Sequence, residues 1–212
     1  MVKAVFFDFD MTLINSKNLL ERSYRDLEHK YSLSFKDLSM REIVGMPHKK
    51  FIKSLIKLNK SKHHWKEVLD YDTKSMERLY SNARLTNLKF LQDLNERKIN
   101  IGIISNNEEQ VVLRCLKNKY NKKIKIDFVL AGKNGEGNKK KAFLIKKGLR
   151  LLNLEKENIL YVGDHPNDIC AAKEAKVKCV AVSTGLHSPK ELKGFHPYKL
   201  VDNLNQIKID LI

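Results

Sequence analysis

Long apolar runs are missing from this sequence. No stretch of about 18 uncharged apolar residues occurs in it, which argues against a transmembrane helix. The first apolar run, Ala4 to Phe9, is broken by Asp8, so it does not read as a secretory leader, and a cytosolic protein is expected. Cysteine is scarce. Cys115, Cys170 and Cys179 are an odd, widely spaced set with no Cys-x-x-Cys pair, which excludes thiolate metal and redox spacings and leaves reduced structural thiols. Also absent are an arginine-rich arm and any stretch in which aromatics interleave with basic residues in an RNA-binding pattern. Negative charge is in short supply, with 25 acidic residues against 41 Lys and Arg, a net charge of +16 and a pI near 9.7. Such a balance attracts anions, and nucleic acid is the first suspect. The lysines are nevertheless scattered along the whole chain, which reads as a solvated surface and makes nucleic acid a disfavoured partner.

What is present suits a globular enzyme-sized domain. Hydrophobic residues make up 42% of 212 residues, enough for one compact α/β domain or a core with a smaller insertion. Short, near-continuous apolar runs at Val2–Phe7, Ile99–Ile104, Ile124–Leu130, Ile159–Val162 and Val177–Val182 suit strands buried on both faces of a parallel sheet. Helical spacing lies between them: Leu88, Leu91 and Leu94 after an Asn87 cap, Glu108 to Leu116, and Phe143 to Leu152. Ser188-Pro-Lys-Glu191 combines a capping box with proline at the first helical position. This alternation predicts a Rossmann-like, doubly wound parallel sheet. One interval breaks it. About ninety residues between the first strand and Ile99 read as helix throughout, far more than a βαβ crossover needs. The expected organisation is therefore an α/β core of residues 1–14 and 84–212, with a helical cap inserted over 15–83.

Open α/β sheets present ligand-binding groups just past the carboxyl ends of their strands, and four such ends carry chemically matched residues. Asp8-Phe9-Asp10-Met11-Thr12 follows Val5-Phe6-Phe7. Two carboxylates one residue apart can share a phosphate site, one as nucleophile and the other as proton-transfer group. They repel unless a cation lies between them, so the pair implies a bound metal; the bland alternative is an acidic turn. Ser105-Asn106 ends Ile101–Ile104, where a hydroxyl and backbone N–H groups at a helix start form an anion site or a plain cap. Lys139-Lys140-Lys141 enters a helix beginning near Ala142. Lysine there opposes the helix dipole, and its ammonium can neutralise a phosphate. Gly163-Asp164-His165-Pro166-Asn167-Asp168 follows Leu160-Tyr161-Val162. Gly163 permits a sharp exit, and Asp164 and Asp168 add two carboxylates of the kind magnesium prefers.

Together the four motifs resemble the haloacid dehalogenase superfamily, in its phosphoglycolate-phosphatase-like and phosphoglucomutase-like branch with a helical cap. The resemblance spans essentially the whole chain and keeps the family's motif order. Asp168-Ile-Cys-Ala-Ala-Lys173 and Val182-Ser-Thr-Gly185 resemble its later segments. The resemblance implies that Asp8 is the nucleophile and Asp10 the general acid/base. It also implies that the Asp8 carboxylate, the Asp10 carbonyl and Asp164 bind Mg2+, with Asp168 supporting the metal site and Thr12 bracing the loop. Ser105 and a lysine would hold the phosphoryl group, with Asn106 beside them. Lys139 fits the phosphoglycolate-like spacing and Lys141 the phosphoserine-phosphatase-like one. Lys141 is preferred because the helix from Ala142 to Leu152 then starts cleanly. The proline that usually follows this lysine is absent.

Dehalogenases of the superfamily lack the second aspartate, so Asp10 argues for phosphoryl transfer. The expected activity is magnesium-dependent hydrolysis of a small phosphate monoester (phosphoglycolate-like, a sugar phosphate or a nucleotide) through an aspartyl-phosphate, by a monomer or homodimer. A phosphomutase of the β-phosphoglucomutase type is the first alternative. A nucleic-acid-binding protein or nucleic-acid end phosphatase, suggested by the charge, is the second. In the cap, Gly45-Met-Pro-His48-Lys49-Lys50 is where His48 or Lys49 would touch a second anionic group of the substrate; otherwise it is an exposed basic helix start. Adjacent His63 and His64 point apart on a helix and read as surface residues rather than metal ligands.

Overall fold

A computed structural model describes residues 1–36, 38–132 and 141–208 of the chain. Strands β1 (Ala4–Phe7), β2 (Asn100–Glu108), β3 (Phe128–Gly132), β4 (Ile159–Gly163), β5 (Lys178–Val182) and β6 (Lys199–Val201) form one sheet in the order β3-β2-β1-β4-β5-β6. Every adjacent pair is parallel. The winding reverses between β1 and β4, so the loops leaving these two strands diverge and open a crevice at their carboxyl ends.

Both faces of the sheet are covered, which is why the strands read as unbroken apolar runs. Along β1, Val5 and Phe7 enter one core cluster while Ala4 and Phe6 enter the other. The first cluster is completed by α5 (Leu88–Glu96), α6 (Glu109–Leu116) and the helices that follow β1. The second is closed by α7 (Lys141–Leu152), α8 (Pro166–Ala175) and α9 (Pro189–Gly194). Between β1 and β2 lie α1 (Lys17–Tyr31), α2 (Met40–Ile43), α3 (His48–Leu58) and α4 (Trp65–Tyr80). They bury Leu20, Leu27, Phe51, Ile52, Leu55, Val68 and Tyr80 at helical spacing. Among the described residues no helix is long and apolar enough to cross a membrane. The three cysteines are free thiols, two buried and Cys170 exposed.

Several local expectations are corrected. Asn87 sits in the left-handed region (φ 53°) and makes no side-chain cap, so α5 begins without one. The run at Ile124 joins the sheet only at Phe128, where Asp127 both donates its N–H to the Ile101 carbonyl and accepts the Ile101 N–H on its carboxylate (2.8 Å each). β2 continues to Glu108 rather than ending at Ile104, so Ser105 and Asn106 lie on a strand and not at a helix start. β6, three residues on the sheet edge, carries no periodic signal in the sequence. The Ser188–Glu191 capping box is present, with proline at the first turn.

Candidate active site

Asp8 leaves β1 and Asp164 leaves β4, on the two sides of the crevice. Asp168 is on the first turn of α8, which places it over the same opening. One carboxylate oxygen from each of the three lies within 4.8 Å of the others, and all three residues are buried. Lys141, the first residue of α7, reaches into this group. Its Nζ is 2.8 Å from Asp8 Oδ1 and 2.6 Å from Asp168 Oδ1. The alternative lysine, Lys139, lies outside the described residues.

One ammonium among three carboxylates leaves a net negative cavity. Burial, then the Asp168 charge, pushes the Asp8 carboxyl up to about 7, against the opposing pull of Lys141. Burial and the charges of Asp8 and Asp168 push Asp164 well up too. The two neighbouring carboxylates raise Lys141 despite its burial. Carboxylates driven toward protonation in a buried, oxygen-only pocket are what a hard divalent cation would relieve, so these residues fit magnesium.

The oxygens are not equally available. Asp168 accepts from Lys141, from Tyr161 Oη (3.0 Å) and from the His165 backbone N–H (3.1 Å), so it anchors the lysine and the loop. Gly163 is required by this packing rather than by a turn, since a Cβ there would lie 2.4 Å from Asp168 Cγ. Thr12 Oγ donates to Asp164 Oδ1 (2.7 Å) and ties the β1 loop to the β4 loop across the crevice. Burial holds the His165 imidazole down at about 4, which keeps it neutral and lets Nδ1 accept the Asn167 N–H as a helix cap.

Asp10 stands apart from the three. Its carboxylate accepts from Tyr80 Oη on α4 (2.6 Å) and from Asn107 Nδ2 on β2 (3.2 Å). Ser105 is buried within β2, with its Oγ accepting the Asn107 N–H. Asn106 turns away from the carboxylates. Its amide donates to the Gly45 carbonyl (2.7 Å), which also accepts from Asn167 Nδ2 (3.4 Å). Gly45, at φ 92°, lies so close to the His165 ring that a Cβ would meet it at 2.9 Å.

The haloacid dehalogenase-like hydrolase family model matches residues 5–182, which includes every residue just described. The chain belongs to the haloacid dehalogenase-like hydrolases. It falls on their phosphatase-like branch. Proteins named pyrophosphatase PpaX from Bacillus mycoides and Oceanobacillus iheyensis are 27% and 23% identical to it, each over 97% of this chain and 95% of their own length. The crystal structure of CbbY from Rhodobacter sphaeroides in complex with phosphate superposes with a TM-score of 0.83. It covers 97% of this chain and 96% of that one at 18% identity, so the likeness is one of fold.

In this haloacid dehalogenase-like hydrolase the helices after β1 contribute directly to the site. His48, at the start of α3, is buried rather than exposed. Its Nε2 is 2.8 Å from Asp72 Oδ2 on α4, and Asp72 also accepts from Ser23 on α1. Its Nδ1 has no hydrogen-bond partner among the described residues and lies 3.9 Å from Glu108 Oε1. Beside it is a cavity of about 60 Å³ whose walls include Asp10, His48, Asn106 and Asn107. Lys49 is half-buried over the Trp65 ring instead. His63 and His64 are exposed, His64 capping α4 and His63 packing edge-on to Tyr31. Tyr80, Tyr161, Asn107 and Asp72 join the site without any local sequence signal that marks them.

Proposed function

We propose that this protein is a magnesium-dependent phosphatase that hydrolyses a small phosphate monoester through an aspartyl-phosphate on Asp8, with residues 15–83 as a helical cap on a core of 1–14 and 84–212. The observation that carries the reading is the buried Asp8–Asp164–Asp168 group with Lys141 in its midst, at the switch point and next to a separately held Asp10. In this reading the Asp8 carboxylate attacks phosphorus in line, and the bond to the leaving oxygen breaks. Asp10, steadied by Tyr80 and Asn107, gives its proton to the leaving alkoxide. It then takes one from the water that attacks the acyl phosphate, which regenerates Asp8 and releases phosphate. Lys141 and the Ser105 hydroxyl stabilise the charge on the transferring group. Asp8, Asp164 and the Asp10 carbonyl would hold magnesium, which would supply the charge that offsets the repulsion between Asp8 and the phosphate. The small cavity beside Asp10 supports a small leaving group, with the His48 imidazole as a contact for a polar or anionic part of it. A phosphate leaving group, as the name of the pyrophosphatase relatives suggests, is a second reading that this cavity also favours.

The test is phosphate release from p-nitrophenyl phosphate, with and without magnesium. Release by the wild type that needs magnesium and disappears in Asp8→Asn, whose fold is unchanged, is the expected result. An Asp8→Asn variant with near-normal turnover would refute the assignment.

A further inference from the structure

Lysines that look scattered in the sequence are gathered by α3. Lys49, Lys53 and Lys57 recur at four-residue spacing, so they stand on one face of the helix about 6 Å apart along its axis. Lys50 lies next to this row. All four line an open cleft of about 680 Å³ whose opposite wall is the Asn167–Cys170–Glu174 face of α8. Among the described residues lining the cleft, five are lysine and Glu174 is the single acid. The fifth lysine, Lys141, belongs to the carboxylate group, which leaves four ammonium groups to face a ligand. Lys49 and Lys53 also lie 5.0 and 4.4 Å from the centre of the Trp65 ring.

The cleft ends where Gly45 and Asn106 meet, and those two residues also wall the small cavity beside Asp10. It is thus the vestibule of the site, and it is much larger than a small ester requires. We propose that this cleft binds the phosphodiester backbone of single-stranded nucleic acid. A row of ammonium groups one helical turn apart matches phosphates repeated along an extended strand, and a positively charged groove is how strands are tracked without sequence preference. Lys50, Lys53 and Lys57 are exposed along an open groove between two helices, which a flexible strand can follow. The exposed face carries no apolar stripe of the kind a membrane-binding helix needs, because the apolar face of α3 is buried inward through Phe51, Ile52 and Leu55. A bound strand covers the Gly45–Asn106 junction and so obstructs small esters on their way to Asp10. This last consequence rests on the phosphatase reading; the binding itself does not.

The experiment is fluorescence anisotropy of a labelled 12-nucleotide oligothymidylate with hydroxyl groups at both ends, which offers no terminal phosphate to the reaction centre. Four neutralised phosphates give a log–log salt slope of about −2.8, or about 50-fold weaker binding between 50 and 200 mM salt. The Lys53→Gln/Lys57→Gln variant, with its fold checked by thermal melting, should show a slope shallower by about 1.4, with only about a 7-fold loss over the same range. The same oligonucleotide should slow magnesium-dependent release from p-nitrophenyl phosphate at low salt and not at high salt. No binding at 50 mM salt, an unchanged slope in the variant, or equal affinity for a duplex of the same length would each overturn the proposal. If the wild type releases no phosphate from any ester, the phosphatase reading fails, and the anisotropy series alone decides the strand site.

Discussion

Removing the ammonium of Lys141 tests whether the carboxylate group is as strained as its geometry implies. Lys141→Met keeps the length and apolar stem of the side chain and deletes only the charge. In the wild type that charge makes contacts of 2.8 and 2.6 Å with Asp8 and Asp168, in a place where Lys141 is 7% and Asp168 0% exposed. Each contact has a gross Coulomb energy of about 6 kcal/mol at an effective dielectric of about 20, much of it offset by the desolvation of both ions. Removing one partner of such a group leaves buried charge uncompensated, and the expected net destabilisation is about 3–5 kcal/mol. Its pH dependence follows from Asp8. The folded-state value of about 7 lies above the unfolded value, so the folded protein holds the extra proton in that window, and stability falls as pH rises through it. Without Lys141, which pulls Asp8 down, the window extends further upward. Urea unfolding followed by circular dichroism in EDTA should therefore show a loss larger at pH 8 than at pH 5 by about 1 kcal/mol, since only the one pH unit above the wild-type Asp8 value separates the two proteins. Magnesium at about 100 times its dissociation constant adds about 2.7 kcal/mol to the native state and should recover much of the loss at pH 8. A loss under about 1 kcal/mol in EDTA at pH 8, or the same loss at both pH values, would refute the reasoning.

Two other contacts carry sharp expectations. Tyr80→Phe removes the 2.6 Å donor to Asp10 and leaves its stack on Phe9 intact, so kcat should fall about tenfold with KM little changed; a rise in KM alone would assign Tyr80 to binding. His48→Ala strands the buried Asp72 carboxylate with Ser23 as its remaining donor among the contacts described, and should cost about 3–5 kcal/mol. The double variant with Asp72→Ala should recover part of that cost, and strictly additive losses in the cycle would show that the two side chains do not act as a pair.

What the sequence revealed and what it hid divide along a physical line. The sheet was legible because a strand buried on both faces must be apolar throughout, and β1 and β4 obey that rule along their length while β5 does so after the exposed Lys178. Asp8, Asp164 and Asp168 were legible because each sits within a few residues of a strand end, so chain-local spacing fixes where the side chain goes. Lys141 is the first residue of α7, which is where the helix-start argument puts it, and Lys139 lies outside the described residues. Tyr80, Asp72 and Asn107 could not be found this way. Tyr80 reaches Asp10 across 70 residues of chain and Asp72 reaches His48 through the packing of α3 against α4, so their partners are chosen by tertiary structure. The Ser105–Asn106 pair shows the converse. Read locally it is a helix start, but Ser105 Oγ and Asn107 Oδ1 take the N–H groups of Asn107 and Glu108 (3.1 and 2.9 Å), and the strand continues. The side chains that would have capped a helix instead satisfy the backbone where the register of β2 against β3 shifts, between Ile104 and Glu108. From this irregular stretch Asn107 reaches Asp10 and Asn106 reaches the Gly45 carbonyl, beside the junction between cavity and cleft. A substitution that lets β2 end at Ile104, such as Ser105→Pro, should therefore release both contacts at once rather than either alone.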